Sequence, residues 1–201
     1  MGRVLKSEKD AGGAEVPIPG VKITVDGLED DPKMTFFTGA DGRFRVEPAP
    51  AGRFFVNVDG RTSPLSQWPD GAYYPVIGKA WFAEPGRTNN LAGGTGLIYL
   101  PRVASGTLQP VSATEETRVT FPTSVIAQNP ALAGVEIVVP PNALYSDDGK
   151  RGGLIGLAPV ASDRLPEPLP TLPNGAARTV PRESFMSSRI DLALRCCPLS
   201  L

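Results

Sequence analysis

An all-β chain is what this sequence predicts, and three observations carry the prediction. Apolar residues recur at every second position in several short stretches, the period of a strand with one buried face. Glycine and proline are both abundant, at 22 each in 201 residues, and they interrupt the chain too often for long helices. No apolar run is long enough to span a membrane. A chain of about 200 residues can hold one sandwich or two smaller units, each with its own core. Breaks in the pattern divide it at 1–62, 63–99, 100–180 and 181–201. This predicts two small antiparallel β-sandwich modules, joined by an aromatic-rich linking or packing segment and followed by an atypical tail.

The first module begins with "RVLK" and continues with "GVKITVD", where Val21, Ile23 and Val25 share one face and Lys22, Thr24 and Asp26 the other. "MTFFT" is a third strand. In "FTGADGRFRV", Asp41 and Gly42 predict a tight reversal: the glycine supplies the positive φ that closes a short loop, and the aspartate can bond its own backbone two residues on. Calcium ligation by Asp41 is the rarer use of such a turn. Phe44 and Val46 then alternate with Arg43, Arg45 and Glu47, "EPAPAG" breaks the chain, and Phe54, Val56 and Val58 alternate with Phe55, Asn57 and Asp59.

"GRVLKSEKDAGGAEVPIPGVKITVDG" followed by "TGADGRFRVEPAPAGRFFVNVDG" resembles a carboxypeptidase regulatory-like domain over about residues 2–60. The resemblance implies a transthyretin-like Greek-key sandwich with no catalysis of its own, attached to an enzyme or strung along a secreted or cell-surface protein. Its implied location is therefore extracellular or at the cell surface. "VEPAPAGRF" is also similar to a segment of Cna-type B repeats, some of which cross-link Lys to Asn beside a carboxyl; Lys6, Asn57 and Glu47 would be the members here. That chemistry needs the amine desolvated beside the amide. The alternation places Asn57 and Glu47 on outward faces, so no cross-link is expected.

Between residues 63 and 96 the alternation lapses and Trp68, Tyr73, Tyr74, Trp81 and Phe82 gather. Flat rings with a polar edge suit stacking on sugars or gripping a protein partner; they also suit covering the end of a sandwich, the commoner use of large aromatics. "PGRTNNLAGGTG" reads as a loop and lacks the Lys-Ser/Thr and helix of a phosphate cradle. Strands resume with "GLIYLPRV", with "TRVTFP" and with "GVEIVVPPNAL", where Val135, Ile137 and Val139 share a face. "GGLIGLAPVA" reads as a strand buried on both sides, and Asp148-Gly149 repeats the turn of Asp41-Gly42.

"VEIVVPPNAL…DDG…IGLAPVASDRLPEPLP", within about residues 100–175, resembles a β-sandwich module of netrin receptors, ankyrins and large bacterial surface proteins. Some relatives cut themselves at a His-Phe-Ser site, which a chain without histidine cannot form. The tail, with helix-like "SSRIDLAL" and the adjacent Cys196 and Cys197, changes character. Either this second module is incomplete or the tail lies outside its fold.

Composition narrows the chemistry. With no histidine, the commonest general base and metal ligand are missing. Two adjacent cysteines cannot staple distant strands. Twenty basic against 21 acidic residues give no field to collect nucleic acid or hold an anionic membrane. The N-terminal residues carry no signal-peptide pattern. Asp26, Glu29, Asp30 and Asp31 in "DGLEDDP" are oxygen donors calcium would accept, without the EF-hand spacing; a solvated acidic loop is the expectation. The sequence thus predicts no enzyme, no cofactor and no membrane insertion. It predicts a structural or binding module that spaces or presents neighbouring domains, its partners being those domains, a carbohydrate or another surface protein. The alternative is a carbohydrate-binding accessory of an enzyme.

Overall fold

Short strands bounded by glycine corners dominate the computed structural model, which describes residues 1–90, 95–104, 106–128, 130–145, 150–158, 160, 162–165 and 195–197. The chain divides into two units, Met1–Arg102 and Val103–Leu201.

In the first unit the alternating stretches become β1 (Gly2–Lys6), β2 (Lys22–Val25), β3 (Thr35–Phe37), β4 (Arg43–Phe44) and β5 (Gly52–Asp59), and two more follow, β6 (Val76–Ala83) and β7 (Leu97–Leu100). One sheet runs β3-β2-β5-β6 with every pair antiparallel. The other runs β4-β1-β7; β1 meets β4 antiparallel but β7 parallel, with Arg3 opposite Leu97. A single apolar cluster draws on both sheets: Val4 from β1, Ile23 and Val25 from β2, Phe44 from β4, Val56 and Val58 from β5, Ile77 and Trp81 from β6, Ile98 and Leu100 from β7. Each such side chain, once buried, stabilises the fold by about 1.5–3 kcal/mol relative to exposure.

The turn at Asp41-Gly42 is the corner the sequence predicts. Gly42 has φ +74°, its amide donates to the Gly39 carbonyl at 2.9 Å, and its own carbonyl accepts from the Val4 amide at 2.8 Å. Asp41 Oδ1 accepts from the Arg43 amide at 3.0 Å. The aspartate therefore shapes the bend, and Gly42 lies hard against β1.

Two sequence expectations change here. Segment 63–99 is not set apart: β6 pairs with β5 along its whole length and β7 with β1, so the first unit extends to Arg102. The ladders are not uniformly antiparallel, because β1 and β7 run together. Among the described strands, β6 lies at the rim of its sheet. The Gly60 amide bonds the Pro75 carbonyl, and the alternation of an antiparallel ladder then turns the backbone groups of Val76, Gly78, Ala80 and Phe82 away from β5.

In the second unit β9 (Thr117–Thr120) pairs with β10 (Glu136–Val139), while β8 (Gln109–Val111), β11 (Gly153–Gly156) and β12 (Arg195–Cys197) form another antiparallel sheet. Val111, Val119, Val125, Leu132, Val139, Ile155 and Leu157 make its core, with Val135 and Ile137 packed against it. Val125 is delivered by α1 (Thr123–Gln128), a six-residue helix the sequence reading does not anticipate. β11 is not buried on both sides: Gly153 is exposed, Leu154 half-buried and Ile155 buried. Part of the tail belongs to a sheet, since Cys196 pairs with Ile155. Asp148-Gly149 and "SSRIDLAL" fall outside the described residues. No described helix is long and apolar enough to cross a membrane.

Candidate functional site

The five aromatics of the middle segment do not form one surface. Tyr73, Tyr74 and Trp81 are buried, at 1%, 2% and 6% exposure, which removes them as partner contacts. Trp81 sits on the inward face of β6 with ring centroids 6.3 Å from both Phe44 and Phe54, and its Nε1 is buried without a hydrogen-bond partner among the described residues. Tyr74 packs against Gly60, where a Cβ would lie 2.6 Å from the Tyr74 Cβ. Burial pushes its phenol up to about 12, Glu8 adding to the shift and Arg102 opposing it.

Trp68 and Phe82 remain accessible. Trp68 is half-buried, set on a loop closed by the Gln67 amide to the Ala72 carbonyl at 2.9 Å and the Gly71 amide to the Gln67 carbonyl at 2.6 Å. Its ring meets Tyr73 edge-on at 4.6 Å, and the Arg61 guanidinium lies 5.4 Å from its centroid. Arg61 is itself held by Asp59, Nε to Oδ1 and Nη2 to Oδ2 both at 2.8 Å. Phe82 is 67% exposed and stands opposite Arg53, whereas Asp59 stands opposite Val76 at the other end of the same ladder. Six strand residues separate the two ends, about 20 Å. Trp68 and Phe82 are therefore separate contacts.

The acidic loop turns its oxygens toward backbone. Glu29 accepts from the Gly27 amide at 3.1 Å and Asp31 from the Lys33 amide at 2.9 Å, capping a short 3₁₀ turn. Backbone hydrogen bonds from its own and the Gly27 amide hold the Glu29 carboxyl below its usual range. Among the described residues no three acidic or thiol side chains are placed to hold a metal ion. Lys6, Glu47 and Asn57 are likewise not brought together: Lys6 lies on β1, Asn57 on the outward face of β5 in the other sheet, and Glu47 is exposed and paired with Arg45 at 2.9 Å. In the second unit the exposed Arg118 bridges Glu136 at 2.6 Å and Glu116 at 3.2 Å.

One arrangement escapes the sequence reading. In the β1–β4 ladder Arg3 stands directly opposite Arg43, on the face away from Val4 and Phe44. The two border a cleft of about 240 Å³ whose wall also includes Asn90, Thr95, Gly96 and Leu97, with no carboxylate among its described lining residues. A neighbouring cleft of about 230 Å³ contains Arg45 and Arg87, but there Glu47 lines the wall and holds Arg45. The outward place of Arg43 is legible from its alternation with Phe44; its apposition to Arg3 needs the strand pairing. No family model, curated protein or solved structure matches the chain.

Proposed function

We propose that this chain is a non-catalytic part of a larger secreted or cell-surface protein. On this reading its first unit is a transthyretin-like sandwich of the carboxypeptidase regulatory-like kind, its second a further sandwich module, and together they space or present neighbouring domains. The observation that supports it is the use made of the large side chains. Tyr74 and Trp81 go into the cluster shared by the two sheets of the first unit, and the carboxylates of Asp31, Asp41 and, at the end of β5, Asp59 accept from backbone amides two residues on. Such bonds shape corners and leave those groups poorly placed for proton transfer, which needs a base within reach of a substrate.

The half-buried Trp68, with Arg61 against its ring, favours one second reading, a carbohydrate-binding accessory module. A polysaccharide pull-down and glycan array on the full chain, wild type beside Trp68→Ala, separates the two. The spacer reading expects no saturable retention. Retention that disappears in Trp68→Ala establishes the carbohydrate module and overturns the spacer.

A further inference from the structure

We propose that the cleft between β4, β1 and the start of β7 binds an oxyanion: a phosphate, sulfate or carboxylate group held between the guanidinium groups of Arg3 and Arg43. This stands independently of the reading above. Like charges directly opposite each other on an antiparallel pair are destabilising, yet Arg3 and Arg43 occupy one cross-strand position. Asp41 answers only part of the charge. Arg3 donates its Nε to the Asp41 carbonyl at 2.9 Å, and Arg43 approaches the Asp41 carboxylate through Nε at 3.3 Å. That single carboxylate also caps the Arg43 amide and does not line the cleft.

The Nη groups of both arginines, the ends of the fork that grips an oxyanion through two parallel bonds, donate no hydrogen bond among the described residues. Arg43 is 70% exposed along its side chain and can swing toward a ligand. Asn90 and Thr95 line the same cleft, the Thr95 hydroxyl accepting from the Leu97 amide at 3.3 Å. At Gly96, φ +71°, no atom of the described residues comes closer than 3.9 Å to the place of a Cβ. The volume of about 240 Å³ is below the roughly 300–1,000 Å³ of pockets that enclose drug-sized ligands, so it suits one anionic group or one small acidic sugar. The neighbouring cleft is the internal contrast: there the cation already has its carboxylate in Glu47.

The experiment titrates the full isotopically labelled chain with inorganic phosphate, with sulfate and, separately, with glucuronate, following the Nε–H resonances of Arg3 and Arg43 and the amides of Gly96 and Leu97. Saturable shifts at these groups are expected with at least one of the three, and the ligand that saturates names the source. Arg43→Gln and Arg3→Gln should each weaken binding about ten-fold or more, the cost of one charge-assisted hydrogen bond. Arg53→Gln, exposed on the other sheet, should leave it unchanged. Among the described residues the Arg43 side chain donates no hydrogen bond to backbone and pairs only with the exposed Asp41 carboxylate, so its variant should keep the fold and the measurement stays decisive. No saturable shift with any of the three, or undiminished binding in the Arg3→Gln, Arg43→Gln double variant, overturns the proposal.

Discussion

Replacing Gly42 by alanine tests the corner on which the first unit turns. Two costs are built into the site. The first is conformational: φ is +74°, and a residue with a Cβ in the left-handed region is strained by about 1–2 kcal/mol. The second is steric, because the new methyl would lie 2.3 Å from the Val4 carbonyl oxygen and 3.1 Å from the Pro17 Cβ. Both neighbours are held in place, so the turn must retreat from β1. Retreat stretches the bond from the Val4 amide to the Gly42 carbonyl, now 2.8 Å, and any yielding of Val4 disturbs the bond that the Ile18 amide makes to it, now 3.0 Å. At about 1 kcal/mol per bond, Gly42→Ala should cost about 3–4 kcal/mol in all.

Gly27→Ala is the control. Its φ is +76° but no atom of the described residues lies within 4 Å of the added carbon, so it carries only the strain of about 1–2 kcal/mol. Both tryptophans, Trp68 and Trp81, lie in the first unit, and their fluorescence reports its unfolding in urea. With a slope of about 1–3 kcal/mol per molar, the midpoint of Gly42→Ala should fall below that of Gly27→Ala by about 1 M. Equal losses in the two variants would show that the approach to Val4 contributes nothing and would refute the reasoning.

The buried Thr38 hydroxyl accepts from the Val21 amide at 2.9 Å and donates to the Ile18 carbonyl at 2.8 Å; Thr38→Val should cost about 2–3 kcal/mol and Thr38→Ser much less, read by the same urea curves. The phenol of Tyr74 titrates near 12 when folded and near about 10 when unfolded, so the folded state holds the proton longer. Stability should then fall as pH rises from about 10 to about 12, by up to about 1.4 kcal/mol per pH unit, and this component should level off above that range. The difference between wild type and Tyr74→Phe isolates it in pH-dependent thermal melts; parallel pH profiles would contradict the burial of that ring.

Where one face of a strand is apolar and the other polar, the sequence was easy to read. Lys22–Val25 and Gly52–Asp59 show that contrast and are β2 and β5. β6 hid because its contrast is inverted in places: the inward row Ile77, Lys79, Trp81 and Ala83 includes a lysine, and the outward row Val76, Gly78, Ala80 and Phe82 has no polar side chain. A charged residue turned inward on a rim strand is one way proteins discourage edge-to-edge pairing, and it erases the periodic signal. α1 is less than two turns long, with the β-branched pair Val125-Ile126 in its middle, too short for a 3.6-residue period to emerge. Composition could name Tyr73, Tyr74 and Trp81 as notable but not their direction. That depends on strand pairings reaching across tens of residues, as does the meeting of Arg3 with Arg43.

The parallel union of β1 with β7 carries a consequence for how the protein is made. Residues 3–6 find their second neighbour only in residues 97–100, so a ribosome must release some hundred residues before that side of the strand can close. Until then Val4 waits without Ile98, and contacts of such long sequence separation form late and slowly. An early strand left unpaired is open to the wrong neighbour. Growth of the chain, rather than its finished shape, sets when this part of the molecule is most at risk.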